Sequence, residues 1–226
     1  MKKISLTILS TAVLLAGNSV YAELLIDPIG SAEDGTEVGA AFTSSSIEYD
    51  VNGDDEIDRT MLSAYAAFEA ADEVDAFVAV AYSHKVEAEG INDDDAGIIL
   101  AGGVRGVLPI DVDFDLRGYA QLAYIDETYL NKNGGEVTGN GLELSIGALA
   151  VKELDEFEAY GGIELVPFGN FELETSGNRT GSADLDRDSL FGLRLGARFD
   201  VDDFVIRGEV AFIGEQSFTV SISKPL

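Results

Sequence analysis

The residues with the most chemistry in this chain are arginines and carboxylates that share one face of alternating segments. From Phe191 to Phe199, Arg194 and Arg198 fall on one parity, while Phe191, Leu193, Leu195, Ala197 and Phe199 fall on the other. Arg207 and Glu209 likewise oppose Phe204, Ile206, Gly208, Val210 and Phe212, and Glu158, Tyr160 and Glu164 oppose Phe157, Ala159, Ile163 and Leu165. Asp115, Arg117, Tyr119 and Gln121 oppose Phe114, Leu116, Gly118, Ala120, Leu122 and Tyr124. Arg59, Arg105, Glu69 and Glu143 take the same polar side of their own segments. A guanidinium removed from bulk water needs a carboxylate beside it, because an unpaired charge in a confined space costs several kcal/mol. The expected chemistry is a network of ion pairs rather than a reaction.

Two other motifs bear on chemistry. Asp50, Asn52 and Asp54 place oxygen ligands at the first, third and fifth positions of a calcium-type loop. The sixth position is Asp55 rather than Gly and the twelfth is Met61 rather than Glu, so the sharp turn and the bidentate ligand are both missing. A solvated acidic loop explains the segment as well, and the acidic loops suit only weak binding of Ca²⁺ or Mg²⁺; no other cofactor is expected. The single histidine, His84, could act as a general base, but no nucleophile motif accompanies it. The chain is not expected to be an enzyme.

Strands with two unlike faces must position these side chains, since alternation has the period of a strand. Ten are predicted, over residues 36–49, 56–69, 75–87, 97–108, 112–126, 141–151, 157–168, 189–199, 204–213 and 217–223. All but the last, 217–223, are long enough for the roughly 9–11 residues that a tilted strand needs to cross a bilayer. Four short acidic turns with aromatic flanks join them in pairs, at Phe68 to Phe77, Leu108 to Phe114, Lys152 to Phe157 and Phe199 to Phe204. The other links are mostly longer and rich in Asn, Asp, Gly and Ser. Short turns on one rim and long loops on the other, with aromatics where lipid meets water, describe an antiparallel up-and-down transmembrane β-barrel. Eight strands is the alternative count. In a soluble sandwich, the rival all-β fold, the polar faces would carry Lys, Thr and Ser rather than Arg, Glu and Tyr.

Residues 1–22 read as a cleaved signal peptide. Lys2 and Lys3 precede an apolar run, and Val20, Tyr21 and Ala22 offer a cleavage site. Residues 23–226 then form one barrel domain, placed in the cell outer membrane after export. The chain has no cysteine, so no disulfide holds it, and its 25 glycines and 4 prolines suit a twisted sheet. A formal charge of −28 argues against nucleic-acid partners.

The leader, the alternating strands, the aromatic-flanked turns and the ending Phe218 to Leu226 resemble small outer-membrane β-barrel proteins of Gram-negative bacteria, within the broad OmpA-like and opacity-protein-like group. The terminal aromatic residue usual in that group is Leu226 here. The resemblance implies outer-membrane lipid and lipopolysaccharide as surroundings, folding by the barrel assembly machinery, and a monomer. It implies a structural or surface-interaction role with a charged, largely filled interior. A narrow diffusion pore, an adhesin using the acidic loops and a lipid A-modifying enzyme are the alternatives.

Overall fold

The computed structural model describes residues 24–32, 35–50, 54–88, 91–93, 97–110, 114–130, 136–176, 181–186, 191–213 and 216–226. The expected leader, residues 1–22, lies outside them. Twelve strands follow in chain order: β1 (Thr36–Asp50), β2 (Asp54–Ala71), β3 (Val74–Ala88), β4 (Ile91–Asp93), β5 (Gly97–Val107), β6 (Asp115–Leu130), β7 (Glu136–Leu154), β8 (Phe157–Ser176), β9 (Gly181–Asp186), β10 (Phe191–Val201), β11 (Phe204–Phe212) and β12 (Gln216–Pro225).

Every pairing is antiparallel, and each wall strand pairs with its sequence neighbour in the wall. The sheet closes where β1 meets β12, with Gly39 opposite Ser223 and Thr43 opposite Thr219. β4 pairs with the far end of β3, whose remaining length pairs with β5. β9 and β10 share β8 in the same way. The closed wall therefore has ten strands, and β4 and β9 only extend it upward.

The main departure from the predicted ranges is on the long-loop side. β7 has 19 residues and β8 has 20. At about 3.3 Å per residue, 20 residues span about 65 Å, well beyond what a bilayer crossing uses. Residues 169–188, expected as loop, instead carry the end of β8 and all of β9.

On the opposite rim, β2–β3, β7–β8 and β10–β11 are joined by two residues each, Asp72-Glu73, Asp155-Glu156 and Asp202-Asp203. Glu73 (φ 62°) and Asp202 (φ 53°) take the left-handed conformation that lets the chain reverse so tightly. Phe68, Phe199 and Phe204 are exposed beside these turns, Phe114 is exposed at the β5–β6 link, and Phe157 stacks on Phe199 at 5.3 Å between ring centroids. Phe77 breaks the pattern. Although it flanks a short turn in the sequence, it is 2% exposed and points into the barrel. It lies two residues beyond Asp75 on the inward parity, and that parity decides its face.

The outward face is apolar. Leu62, Val78, Leu100, Leu122, Leu195 and Ile222 are each about half exposed, and similar residues continue around the wall. So large a contiguous apolar band is abnormal for a soluble monomer and suits contact with lipid.

The unexpected element is residues 24–32. They form no strand, yet they are packed inside the barrel. Leu25, Ile26 and Ile29 are at most 1% exposed, and they share one apolar core with Tyr65, Phe77, Tyr119, Leu149 and Tyr160 of the wall. The Asp27-Pro28 step folds the segment back. Asp27 Oδ1 accepts a bond from Ile29 N at 3.2 Å, and Gly30 N donates to Asp27 O at 3.4 Å. Proline presets the turn backbone and an Asp side chain closes it. Space for the segment comes from the arc β11–β12–β1–β2, whose inward residues include Ala41, Thr43, Ser63, Thr219, Ser221 and Ser223.

Candidate functional site: the filled lumen

The lumen is the site on which the charged side chains converge. Toward the long-loop end, Arg59 of β2 pairs with Glu127 of β6 at 2.6 Å, and Ser83 donates to the same carboxylate at 2.6 Å. Arg59 and Glu127 are both fully buried.

A second cluster surrounds Arg194 of β10. It meets Glu164 through Nε at 3.0 Å and through Nη2 at 3.1 Å, and Glu209 through Nη1 at 2.7 Å. Tyr119 donates its hydroxyl to Glu164, and Tyr160 donates to Glu209 at 2.8 Å. Arg207 adds Nη1 to Glu209 at 3.3 Å and Nε to Ser221 at 3.0 Å. Two-pronged guanidinium contacts of this kind fix geometry as well as charge.

The third cluster lies nearer the short turns. Arg105 of β5 pairs with Glu37 at 3.1 Å and with Asp75 at 3.0 Å, and Tyr65 donates to Glu37. At the mouth, half-buried Arg198 meets Glu158 at 2.8 Å and Asp27 at 3.7 Å. Arg117 donates to the carbonyls of Ile29 at 2.7 Å and Gly30 at 3.4 Å.

The expected network thus divides into three groups. Arg59, Arg105, Arg194, Arg207, Glu143, Glu164 and Glu209 are buried inside, and Ser145 donates to Glu143 at 3.4 Å. Arg117, Arg198 and Glu158 are partly buried at the mouth. Asp115 and Glu69 are exposed at the short-turn rim instead. Asp115 opens β6 and Glu69 nears the end of β2, and both face the rim although their cross-strand partners Val151 and Asp75 are buried. The side chains of Asp50, Asn52 and Asp54 lie outside the described residues. His84 is exposed on the outer face while Ser83 beside it points inward, as consecutive strand residues must. The two cannot act together.

Sequence reasoning missed Glu37, Asp75, Glu127 and Asp27. Parity alone would have found Glu127, which continues the inward series Arg117, Tyr119, Gln121, Ala123 and Ile125. Glu37 and Asp75 open their strands on the inward parity. Asp27 precedes the first strand and had no signal.

No protein-family model and no curated protein matches the chain. Solved structures do. The translocator domain of the autotransporter NalP from Neisseria meningitidis superposes with a TM-score of 0.52 at 13% identity, covering 88% of this chain and 90% of that one. The transport unit of the autotransporter AIDA-I from Escherichia coli gives 0.51 at 13% identity, covering 96% and 97%. At such identity the likeness is one of fold, and the fold is that of outer-membrane β-barrels.

Proposed function

We propose that this chain resides in the outer membrane as a monomeric barrel that is closed at rest and serves a structural or surface-interaction role, without catalysis. The observation that carries the reading is the filled lumen, in which Arg105, Arg194 and Arg207 and residues 25–29 have almost no accessible surface. A packed interior in which each buried arginine meets a carboxylate fixes strand register and closes the aqueous path, consistent with the small lumen expected of so few strands. The apolar outer band supports contact with lipid, and the acidic loops would meet lipopolysaccharide, bridged by weakly held Ca²⁺ or Mg²⁺. Kinship with the OmpA-like and opacity-protein-like barrels, and folding by the barrel assembly machinery, belong to the same proposal. The long β7–β8 hairpin with β9 favours the surface-interaction side, because it carries a sheet clear of the membrane. Purified protein in planar bilayers should show no steady current. A stable open channel would overturn the closed-barrel reading, and fractionation to the inner membrane would overturn the location.

A further inference from the structure

The wall holds residues 24–32 as a binding site holds a peptide. Among the described residues, no main-chain to main-chain hydrogen bond joins this segment to a strand. Wall side chains reach its backbone instead. Gln121 Oε1 accepts from Leu25 N at 3.2 Å, and Asp75 Oδ2 accepts from Ala32 N at 2.9 Å. Arg105 donates to Asp27 O at 2.5 Å, and Arg117 donates to the carbonyls of Ile29 and Gly30. Side chains that satisfy backbone N–H and C=O groups recognise a main chain largely independently of its own side chains.

The cradle is also balanced without its occupant. Arg105 keeps Glu37 and Asp75, and Arg198 keeps Glu158. Arg117 differs, because among the described residues its hydrogen bonds end on Ile29 and Gly30. It lines a cleft of about 130 Å³ at the short-turn mouth, between Gly30 and Ser31 on one side and Glu73 and Asp75 on the other. The fit is incomplete too. Asp27 Oδ2, Arg198 Nε and Arg117 Nε are buried without a hydrogen bond, the Asp27–Arg198 pair being too long at 3.7 Å. A buried polar group left so is a standing penalty that another occupant could relieve.

We propose that this cradle is a luminal peptide-binding site. Residues 24–32 are its resident occupant, Arg117 is the latch, and a short apolar peptide carrying one carboxylate and able to turn as they do takes their place when the latch is released.

The test uses two variants. The chain has no cysteine, so Ile29→Cys in the full-length protein reports whether the segment is seated. A water-soluble thiol reagent should modify this cysteine slowly. Adding Arg117→Gln should raise the rate about tenfold, the effect of losing a charge-assisted hydrogen bond. Excess synthetic peptide of residues 24–32 should raise it further by holding the segment out. In the second variant residues 24–32 are replaced by a Gly/Ser run of equal length. Fluorescent peptide should bind this protein saturably in detergent, and binding should weaken about tenfold with Arg117→Gln. A folded replacement variant that ignores the peptide, or binds a Gly/Ser peptide of equal length equally, overturns the proposal. If that variant does not fold, the cysteine decides: a rate unmoved by both Arg117→Gln and peptide overturns it.

Discussion

Tyr119 lies over Gly147, its partner across the β6–β7 ladder, so closely that a Cβ on Gly147 would fall on the phenol ring. The same relation joins Tyr65 to Gly39 and Tyr160 to Gly196. Each tyrosine covers the bare backbone of a glycine and hands its hydroxyl to a buried glutamate. The lumen is thus braced three times by one device. An aromatic ring restores the packing that the glycine lacks, and a hydrogen bond ties it to the ion pairs.

Gly147→Ala should therefore destabilise the barrel by about 1–3 kcal/mol through overpacking, although alanine suits a strand better than glycine. Tyr119→Phe keeps the ring and leaves Glu164 with Arg194, so its cost should be smaller, about 1 kcal/mol. Urea unfolding in detergent measures both. A neutral or stabilising Gly147→Ala would show that the ring does not rest there.

Arg194 bridges Glu164 and Glu209 in the lumen, and removing it should leave both short of counter-charge. Arg194→Ala should cost about 3–5 kcal/mol. Current in planar bilayers should stay absent, because residues 24–32 still occupy the lumen. Unchanged stability would mean that Arg194 does not face inward.

The lipid-facing assignment rests on residues such as Leu195, half exposed on the outer wall. Leu195→Arg should cost about 2–4 kcal/mol in a bilayer. Asp155→Arg, in an exposed two-residue turn, should stay within about 0.5 kcal/mol. Refolding titrations into lipid vesicles compare the two, and equal tolerance would argue against a membrane wall.

Most of the wall was legible because each face of β8, β10 and β11 has one character, so parity alone orients Arg194, Arg207 and Glu209. The interior was less legible where both faces are apolar. Ile99, Ile125, Leu149 and Val151 point inward on the parity of Arg105, Glu127 and Glu143, but their own apolar character is that of their lipid-facing neighbours. They belong to one buried apolar core with Leu25, Ile26 and Ile29, a long-range association with no local period. For the same reason, no signal marked residues 24–32 as interior. The upper extensions of β7 and β8 were obscured by Asn, Gly and Glu, which mark turns in isolation but pair here with an equally polar neighbour.

The orientation of the wall can be read on cells. A protease-cleavable tag near Ser182, in β9, should be cut on intact cells. The same tag near Asp155 should be cut only after the outer membrane is opened. Reversed accessibility would place the two-residue turns outside, together with the mouth at which Arg117 meets Gly30.

The last expectation concerns what the lumen becomes once residues 24–32 are replaced by a Gly/Ser run. The apolar contacts of Leu25, Ile26 and Ile29 disappear, and water can reach the wall beneath them. What remains buried there carries Glu37, Asp75, Glu127, Glu143, Glu164 and Glu209 against Arg59, Arg105, Arg194 and Arg207. Acidic residues also crowd the short-turn mouth, where Glu69, Glu73, Asp200 and Asp202 are exposed. A narrow passage with an excess of carboxylates concentrates cations and excludes anions. The replaced protein should pass small currents that favour K⁺ over Cl⁻, and the preference should weaken as salt rises, since screening shortens the reach of the mouth charges from about 10 Å at 0.1 M to about 3 Å at 1 M. Reversal potentials across a salt gradient give the selectivity. A folded variant that stays silent would mean that the side-chain network alone seals the lumen, and an anion-selective current would mean that the arginines, not the carboxylates, face the path.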